Sequence, residues 1–237
     1  MKSSIVIPVF NEPSGNIKEL YDRITRVCAE HAYIYEIVFV DDGSTNNILG
    51  FLQSLHRNDP RVKVVSLDKN YGQARAFLAG IYYSTGDFII TMDGDLQHQP
   101  EDIPMFVDKI VDGYDAVGGK RVIRSRGFLS LCLMVYFRYL FGISMEDHTC
   151  SYAMMSRAIA QRVLYNGASI CLKHLVYMFA DKKTEIGIRL NPRKHGRSSY
   201  TPVKYLSFGI RYLTAFSRRS REVRGLPFRA SLVLAGD

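Results

Sequence analysis

The sequence contains few cysteines and no closely spaced pair of them. Its 237 residues include only Cys28, Cys132, Cys150 and Cys171, and no CxxC motif is present. Structural zinc sites need ligands at short, regular spacing, and disulfide-rich folds need a higher density of cysteine. Both classes are therefore disfavoured, and the pattern fits a protein of a reducing compartment.

Long apolar runs are also missing. None approaches the roughly 18–20 residues that a membrane-spanning helix needs. The nearest, FLSLCLMVYFRYLF at 128–141, is interrupted by Arg138 and predicts a core helix or one lying flat in a membrane interface. The N-terminus, MKSSIVIPVF, enters a strand-like pattern at once and leaves no room for a signal peptide. We therefore expect a cytoplasmic protein.

The loops that follow the first two strand-like runs are not glycine-rich phosphate-binding loops. Their sequences, PVFNEP and VDDGST, have neither the GxGxxG nor the GxxxxGK[ST] spacing. This counts against a dinucleotide-dependent enzyme and against a P-loop ATPase.

Basic residues are abundant and unevenly placed. The net charge is +8, and the excess lies from Lys120 onward, as in KRVIRSR and RRSREVRGLPFR. Such a surface favours an anionic partner, namely nucleic acid, anionic lipid headgroups or a phosphorylated substrate. A merely solvated basic face is an equally good interpretation of charge alone.

Strand-like and helix-like segments alternate through the first half of the chain. The strand-length apolar runs lie at 3–10, 35–42, 61–68, 87–95 and 114–122. The segments between them have helical spacing and end at turn residues. This alternation predicts an α/β fold with a mostly parallel sheet flanked by helices, in which ligands bind beyond the carboxyl ends of the strands.

The alternation stops near residue 123. Helical spacing recurs near 127–141 and 155–165, and a strand, a polar loop and a helix are predicted between 185 and 206. From Ser217 no period is visible, and we expect a mobile tail. We predict a nucleotide-binding half at 1–125, an acceptor-facing or membrane-facing half of the same domain at 126–216 and a basic tail at 217–237. The sheet is thus expected to be followed by a C-terminal extension that is basic, amphipathic and helical.

Two carboxylates, Asp93 and Asp95, end the apolar run DFIITMDGD. Side chains two apart in an extended segment point the same way, and like charges held together need a cation or a shared proton. Hard oxygen ligands of this kind suit Mg²⁺ or Mn²⁺, which also bridges to substrate phosphates. Gln97 adds an amide oxygen, and we expect His98 to be solvated. The alternative is a surface turn whose acids cap the following helix.

The earlier strands also end in polar residues. Asn11 and Glu12 follow the first, and Asp41 and Asp42 end the second. Carboxylates at such positions suit hydrogen bonds to a base or to ribose hydroxyls. Taken singly, each is equally an ordinary cap or turn residue.

Together these stretches resemble the family-2 inverting glycosyltransferases of the GT-A fold, and most closely the dolichyl- and polyprenyl-phosphate sugar synthases. The matching pieces are IVIPVFNE, EIVFVDDGST, LDKNYGQARAFLAGI, GDFIITMDGDLQHQPEDIP and GYDAVGGKR, in the family's order over roughly the first 125 residues. The weaker RKHGRSSY resembles the family's R-x-x-G-x-S-K-Y segment, with Ser199 where lysine is usual.

The resemblance implies a role for each matching residue. Pro8, Asn11, Glu12 and Asp41 would line the nucleotide pocket, and Asp93, Asp95 and Gln97 would hold the metal on the donor diphosphate. Arg121 would contact phosphate of donor or acceptor, and Arg193 and Ser198 would approach from a C-terminal loop. Without the resemblance, each arginine is as well read as a surface or salt-bridged residue. Asp147 is a candidate base or acceptor-orienting group, and an ordinary helix cap is the equal alternative.

The implied reaction is transfer of a sugar from a UDP- or GDP-linked donor to a polyprenyl phosphate, with Mg²⁺ or Mn²⁺. Such an enzyme would sit peripherally at the inner membrane face and, like related enzymes, would form homo-oligomers. Many relatives continue into C-terminal transmembrane helices after a segment like RYLTAFS, whereas here RRSREVRGLPFRASLVLAGD follows. A peripheral enzyme and a shortened membrane protein are both consistent with this.

Four other functions compete with this one. A non-catalytic GT-A module that binds nucleotide sugars or membranes is disfavoured by the intact carboxylate pair. Transfer to a glycan hydroxyl would need a base with a clear signature, and the sequence around Asp147 does not supply one. A glycosidase would use paired carboxylates without metal, and the loops, which are of the diphosphate-binding type, disfavour it. Nucleic-acid binding ranks last, because acidic strand ends repel a phosphate backbone.

Overall fold

The structure is a computed structural model that describes residues 1–122, 138–139, 145–147, 150–166, 172–191 and 230–233. Its described strands form one eight-stranded sheet in the order β7-β5-β6-β4-β1-β2-β3-β8. The strands are β1 Lys2–Val9, β2 Ile34–Asp41, β3 Val62–Leu67, β4 Phe88–Thr91, β5 Ala116–Arg121, β6 Ala153–Ser156, β7 Lys183–Ile188 and β8 Ala230–Val233.

Helices cover both faces of this sheet. They are α1 Ser14–Glu30, α2 Ile48–Asn58, α3 Gln73–Tyr83, α4 Ile103–Val111, α5 Arg157–Asn166 and α6 Leu172–Phe179, and a 3-10 turn at Pro100–Asp102 precedes α4. β3, β2, β1 and β4 are parallel neighbours, β6 runs antiparallel between β4 and β5, and β7 is parallel to β5. The predicted α/β fold with a mostly parallel sheet is confirmed.

Alternating side chains of the central strands feed two separate cores. Ile5 and Ile7 of β1 pack with Ile24 and other residues of α1, α2 and α4 on one face. Val6 points to the other face, where α3, α5 and α6 lie. α3 approaches so closely that a Cβ on Gly80 would lie 2.2 Å from Val6 Cγ1. The strands are thus buried on both faces, as their unbroken apolar runs indicate.

The structure contains three elements that the sequence pattern did not predict. β6 has only four residues, AMMS, and leads directly into α5, so periodicity cannot separate the two. α6 is only eight residues long, and Lys173 and His174 are buried along with its apolar residues, so its polar positions do not mark an exposed face. β8 places residues 230–233 of the predicted mobile tail in an edge strand antiparallel to β3.

Other predictions fall partly or wholly on residues that the structure does not describe. Most of the 128–141 segment and the span from 192 to 229 lie outside the described residues. The C-terminal helical extension and the three-part division of the chain therefore stay predictions. In the part of the chain that is described, no helix is long and apolar enough to cross a membrane.

Glu36, buried on β2, joins the strands at the amino edge of the sheet. Its carboxylate accepts hydrogen bonds from Ser4 Oγ at 2.7 Å and Thr85 Oγ1 at 2.9 Å, and it pairs with Lys63 Nζ at 2.9 Å. Burial by itself raises the pKa of Glu36, but these partners outweigh it and lower the pKa from 4.5 to about 2. The carboxylate therefore contributes stability above the unfolded-state pKa, and this is lost as the pH falls through 4.5 towards 2.

We expect Glu36→Gln to lower the free energy of unfolding at pH 7 by about 3 kcal/mol, the equivalent of this pKa shift. The loss should shrink as the pH approaches 2, because the wild-type carboxylate is then protonated as well. Urea unfolding at several pH values measures this, with the exposed Glu30→Gln as the matched control. A pH-independent loss would show that the charge of Glu36 is not responsible.

Candidate active site

The polar residues that follow β1, β2 and β4 meet at one edge of the sheet, as predicted. β1 is paired along its length with β2, so that Val9 stands beside Asp41, and β4 pairs with β1 on the other side. The backbone N–H of Asp42 donates to Val9 O at 2.8 Å just beyond the last pair of β1 and β2. The carboxyl ends of these three strands therefore form a common floor for a ligand.

Asn11 joins the first two loops of this edge. Its Oδ1 accepts hydrogen bonds from the backbone N–H groups of Thr45 at 2.8 Å and Asn46 at 3.3 Å, and its own N–H donates to Ser44 Oγ at 2.9 Å. The backbone of Asn11 is left-handed, with φ 55°, a conformation that asparagine adopts more readily than most residues. The carbonyl of the next residue, Glu12, accepts from Asn46 Nδ2 at 3.2 Å. Asn11 therefore shapes the edge by holding the loop after β2.

The two acids that end β2 have different partners. Asp41 is buried and accepts the backbone N–H of Ser44 at 3.0 Å, within its own turn. Asp42 reaches the loop between β3 and α3, where it accepts the N–H groups of Tyr71 at 2.7 Å and Gly72 at 2.9 Å. Burial raises the pKa of Asp42 although both of these hydrogen bonds oppose the change. Asp42 thereby fixes the start of α3, which begins at Gln73.

Gly43 is required where these two loops touch. A Cβ at this position would lie 2.3 Å from the backbone carbon of Lys69, and φ is +68°. Only glycine satisfies both conditions without strain. The glycine of VDDGST therefore serves the packing of the two loops.

Asp93 is oriented by two donors on the same oxygen. Gln73 Nε2 and Ser151 Oγ each lie 2.6 Å from Asp93 Oδ1. Ser151 is itself held by Thr91 Oγ1, which donates to its carbonyl at 2.6 Å. A quarter of the Asp93 side chain is exposed, so the carboxylate is fixed in direction and still open to the edge.

Asp95 and Gln97 lie in a strained turn after β4. Leu96 between them is buried at 2% exposure and has φ 63°, an uncommon conformation for a bulky residue. Asp95 Oδ1 accepts the backbone N–H of Gln97 at 3.1 Å, and both side chains are partly exposed. Backbone strain of this kind is concentrated at functional sites, where the surrounding structure maintains it.

His98 is buried, which corrects the expectation that it is solvated. Its side chain is 4% exposed, and its ring packs on Tyr152 at a centroid distance of 4.9 Å. The backbone N–H of Asp93 lies 3.1 Å from Nδ1, which must therefore act as the acceptor. Nε2 faces Cys150 Sγ at 3.8 Å. His98 supports the backbone of Asp93 from beneath.

The chemistry of the Asp93, Asp95 and Gln97 side chains suits a divalent cation whose remaining ligands come from elsewhere. Among the described residues no group of three or more His, Cys, Asp and Glu side chains is arranged to hold a metal alone. Asp93, Asp95 and Gln97 offer oxygen ligands on one open turn. Mg²⁺ and similar hard cations are commonly held by one or two carboxylates, with water and substrate phosphates completing the coordination.

Arg121, at the end of β5, is bound to Asp147. The carboxylate accepts Nε at 2.6 Å, Nη2 at 2.8 Å and the backbone N–H of Arg121 at 3.0 Å. The Asp147 side chain is 6% exposed, whereas a third of the Arg121 side chain is exposed. Burial alone would raise the pKa of Asp147, but Arg121 holds it well below its usual range.

The remaining predicted residues, Arg193 and Ser198, lie outside the described part of the chain. Gln73 and Ser151 received no role from the sequence, although both stand in polar stretches, NYGQAR and HTCSYA. Their only signal was a hydrogen-bonding side chain between apolar elements. That signal is common in loops and does not identify a partner 58 residues away, as between Ser151 and Asp93.

Known proteins are similar to this chain in both sequence and fold. The family described as "Glycosyl transferase family 2" matches residues 4–164. Undecaprenyl-phosphate 4-deoxy-4-formamido-L-arabinose transferase of Pseudomonas fluorescens is 36% identical over 220 residues, which are 90% of this chain and 64% of the relative. The enzyme of that name from Yersinia pestis is 35% identical over 223 residues, 91% of this chain and 68% of the relative. This chain thus spans about two thirds of their length or slightly less.

Solved structures agree on the fold. Glucosyl-3-phosphoglycerate synthase of Mycobacterium tuberculosis, in complex with Mn²⁺, UDP-glucose and phosphoglyceric acid, superposes with a TM-score of 0.67 at 16% identity and covers 92% of this chain and 81% of its own. Mannosyl-3-phosphoglycerate synthase of Rubrobacter xylanophilus gives 0.65 at 15% identity, with 96% and 78% covered. The family match spans well over half of the chain, and the motifs at the sheet edge agree with it. The chain belongs to glycosyl transferase family 2.

Proposed function

We propose that this chain transfers a sugar from a nucleoside diphosphate donor to a polyprenyl phosphate, with Mg²⁺ or Mn²⁺ held by Asp93, Asp95 and Gln97. The observation that carries the proposal is the carboxylate pair after β4, where Asp93 is fixed by two donors and still opens onto the sheet edge. The names of the Pseudomonas and Yersinia relatives support the acceptor. The Mn²⁺ and UDP-glucose bound to the mycobacterial enzyme support the cofactor and donor type.

The donor would lie across the ends of β1, β2 and β4. Pro8, Asn11, Glu12 and Asp41 would line the nucleotide pocket, with the first two loops held together by Asn11. The diphosphate would then reach Asp93 and Asp95. A bound divalent cation would neutralise the negative charge that develops on the departing nucleoside diphosphate.

The acceptor phosphate would bind beside Arg121. Gly118 of β5 is in register with Ala153 of β6, which pairs with Thr91 of β4, so the ends of β5 and β4 lie on the same edge. Two strand spacings, about 10 Å, separate them. Arg121 therefore stands on the side of Asp93 that faces away from β1 and β2, where the nucleotide would bind. This favours acceptor phosphate over donor phosphate as its ligand.

The reaction would be a single displacement at the anomeric carbon. An oxygen of the acceptor phosphate forms the new bond to that carbon, and the bond to the donor diphosphate breaks, so the electron pair leaves with the nucleoside diphosphate. The acceptor phosphate is already ionised near neutral pH, so no strong base is needed. Asp147, paired with Arg121 and held at a lowered pKa, suits an orienting role better than that of a base.

Arg193 and Ser198 would add to this site from the C-terminal segment. Asn191, the last residue described before them, donates its N–H to Gln97 O at 3.0 Å. The described chain resumes at Ala230, which pairs with Leu67 at the carboxyl end of β3. Both attachment points lie at the edge that carries the carboxylates, which supports a role for this segment there.

Docking at the inner membrane face would bring the enzyme to a lipid acceptor. The net charge of +8, concentrated after Lys120, favours anionic headgroups, and the 128–141 segment would lie in the interface. Assembly into a homo-oligomer stays a prediction of the family resemblance.

We expect Gln73→Ala and Ser151→Ala each to weaken Mn²⁺ binding by about 10-fold to 100-fold, because partners that orient a metal ligand commonly contribute this much. Mn²⁺ affinity is measured by electron paramagnetic resonance with a UDP-sugar present. Gln53→Ala, the same change on α2, is the control and should leave the affinity unchanged. Equal Mn²⁺ affinity in all variants would mean that Asp93 is not a ligand or needs no orientation.

The proposed function is tested by incubating the protein with Mn²⁺ or Mg²⁺, a short-chain polyprenyl phosphate and a panel of radiolabelled UDP- and GDP-sugars. Label that moves into the organic phase with one donor establishes the reaction and identifies the sugar. Transfer only to glycan hydroxyls would show that the acceptor is a glycan and not a polyprenyl phosphate. Failure to bind any nucleotide sugar would refute the proposal.

A further inference from the structure

Lys173 is a buried charge with no role in the proposed reaction. It lies on α6, its side chain is 1% exposed, and its Nζ donates to Gly119 O at 2.8 Å, Asp147 O at 2.8 Å and Glu185 Oε1 at 2.7 Å. An ammonium has three donors, and each finds a partner here. Burying such an ion pair adds little net stability, because desolvation offsets the attraction. Its effect lies in the geometry that it imposes.

Glu185 extends this geometry to the segment that carries Asp147. Its Oε2 accepts the backbone N–H of Glu146 at 2.6 Å, and its Oε1 accepts that of Asp147 at 3.3 Å. Lys173 holds the carbonyl of Asp147 from the other side. The Lys173–Glu185 pair thus holds the backbone of residues 146–147 by three hydrogen bonds. Glu185 accepts from both backbone N–H groups, and Lys173 donates to the carbonyl of Asp147.

Asp147 passes this constraint on to Arg121. Its carboxylate accepts three hydrogen bonds from Arg121, one of them from the backbone. A shift of the Asp147 backbone would therefore move the guanidinium. The chain of contacts runs from α6 and β7 through residues 146–147 to the end of β5.

The first glycine of the AVGGKR strand, Gly118, makes room for Lys173, and the second, Gly119, makes room for Ile188. A Cβ on Gly118 would lie 2.4 Å from Lys173 Cε and 2.6 Å from Tyr177 Oη. A Cβ on Gly119 would lie 2.8 Å from Ile188 Cδ1. β5 is therefore built around the lysine, which fixes Lys173 in one position against the strand.

We propose that the buried Lys173–Glu185 pair positions Asp147, and through it Arg121, to bind the acceptor phosphate. Both residues act as positioning residues, because neither touches the proposed substrate position. The inference rests on the proposed function for its effect on catalysis. The structural part of the inference, the coupling of Lys173 to Arg121, is independent of the proposed function.

The test is Lys173→Met, which keeps an unbranched side chain of nearly the same length and removes the charge. We expect hydrogen exchange of the Arg121 Nε–H, followed by ¹⁵N NMR, to become at least about 10-fold faster. The resonance is assigned by its loss in Arg121→Lys. The KM for polyprenyl phosphate should rise by about 10-fold or more, because small misplacements of a binding group are costly. The dissociation constant for the donor should stay unchanged.

Lys183→Met is the matched control. Lys183 donates to Tyr177 O at 2.7 Å and Ala180 O at 3.0 Å, so its loss weakens the end of the same helix without touching Asp147. We expect a smaller fall in melting temperature than for Lys173→Met, which leaves Glu185 buried without its cation, and unchanged Arg121 exchange. If Lys173→Met does not fold, Glu185→Gln is used instead, since it keeps the shape of the side chain and removes the charge.

The outcomes separate this inference from the proposed function. Unchanged Arg121 exchange in a folded Lys173→Met or Glu185→Gln protein would overturn the inference, as would faster exchange with an unchanged acceptor KM. Equal effects of Lys173→Met and Lys183→Met would reduce the role of Lys173 to general stability, which also overturns it. Absence of transfer by the wild-type protein would refute the function, while NMR would still decide the coupling.

Discussion

Replacing Asp95 with asparagine should reduce sugar transfer by about 1,000-fold, equivalent to about 4 kcal/mol of transition-state stabilisation. The amide keeps the shape of the side chain but removes the charge that would hold the cation. Because Asp95 is partly exposed and lies on a surface turn, the melting temperature should change little. The measurement is the transfer rate at saturating Mn²⁺, together with Mn²⁺ affinity in the presence of the donor.

Asp108→Asn is the control for this prediction. Asp108 is an exposed residue of α4, so the same chemical change there should leave transfer unaffected. Retention of more than about a tenth of the activity by Asp95→Asn would contradict the metal role, because loss of a catalytic charge costs far more than this. Loss of activity with unchanged Mn²⁺ affinity would show that Asp95 acts in a step other than metal binding.

Replacing Arg121 with lysine should lower the transfer rate by about 100-fold at low polyprenyl phosphate, equivalent to about 3 kcal/mol. The planar guanidinium of Arg121 donates Nε and Nη2 to Asp147 while a third of the side chain is exposed. A lysine has a single charged atom and cannot make the bidentate pair while presenting charge to a phosphate. The KM for the acceptor should rise, and donor binding should not change.

Arg157→Lys provides the control for loss of a structural arginine. Arg157 donates to Gly86 O at 2.8 Å and Ser84 Oγ at 3.1 Å, at the amino edge of the sheet and away from the site. Its replacement should lower stability and leave the acceptor KM unchanged. An Arg121→Lys protein with wild-type acceptor KM would exclude Arg121 from acceptor binding.

The same assay decides the role of Asp147. If Asp147 orients Arg121, Asp147→Asn should raise the acceptor KM, as Arg121→Lys does. If Asp147 were a base, kcat would fall at saturating acceptor. The lowered pKa of Asp147, caused by Arg121 in opposition to burial, predicts the first result.

Much of the fold follows from local patterns in the sequence. Apolar runs and intervening helical spacing predicted β1 to β5 and α1 to α4, because each of these elements buries a face that its own periodicity marks. β6 and α6 were not predicted, since a four-residue strand is too short to show a period and the polar residues of α6 are buried and do not mark an exposed face. β8 was missed because its partner, β3, is remote in the chain and an isolated strand has no signal of its own.

The position of the candidate site could also be predicted from the sequence, whereas the contacts that each of its residues makes could not. Parallel strands bring their carboxyl ends to one edge, so Asp41, Asp93 and the residues after β1 had to converge. Sequence alone could not show that Asn11 holds the loop after β2 or that His98 is buried. Both depend on contacts between segments that only packing brings together.

The amino-acid sequence by itself therefore specified the α/β architecture, the sheet edge at which the polar residues of the candidate site meet, and the family. Tertiary structure decided how the carboxylates are held, with Gln73 and Ser151 converging on Asp93 from different elements. It also decided that Lys173 packs against Gly118 and donates hydrogen bonds to the carbonyls of Gly119 and Asp147. The physical reason is that periodicity records burial of one element at a time, whereas a hydrogen bond between remote residues depends on the packing of several.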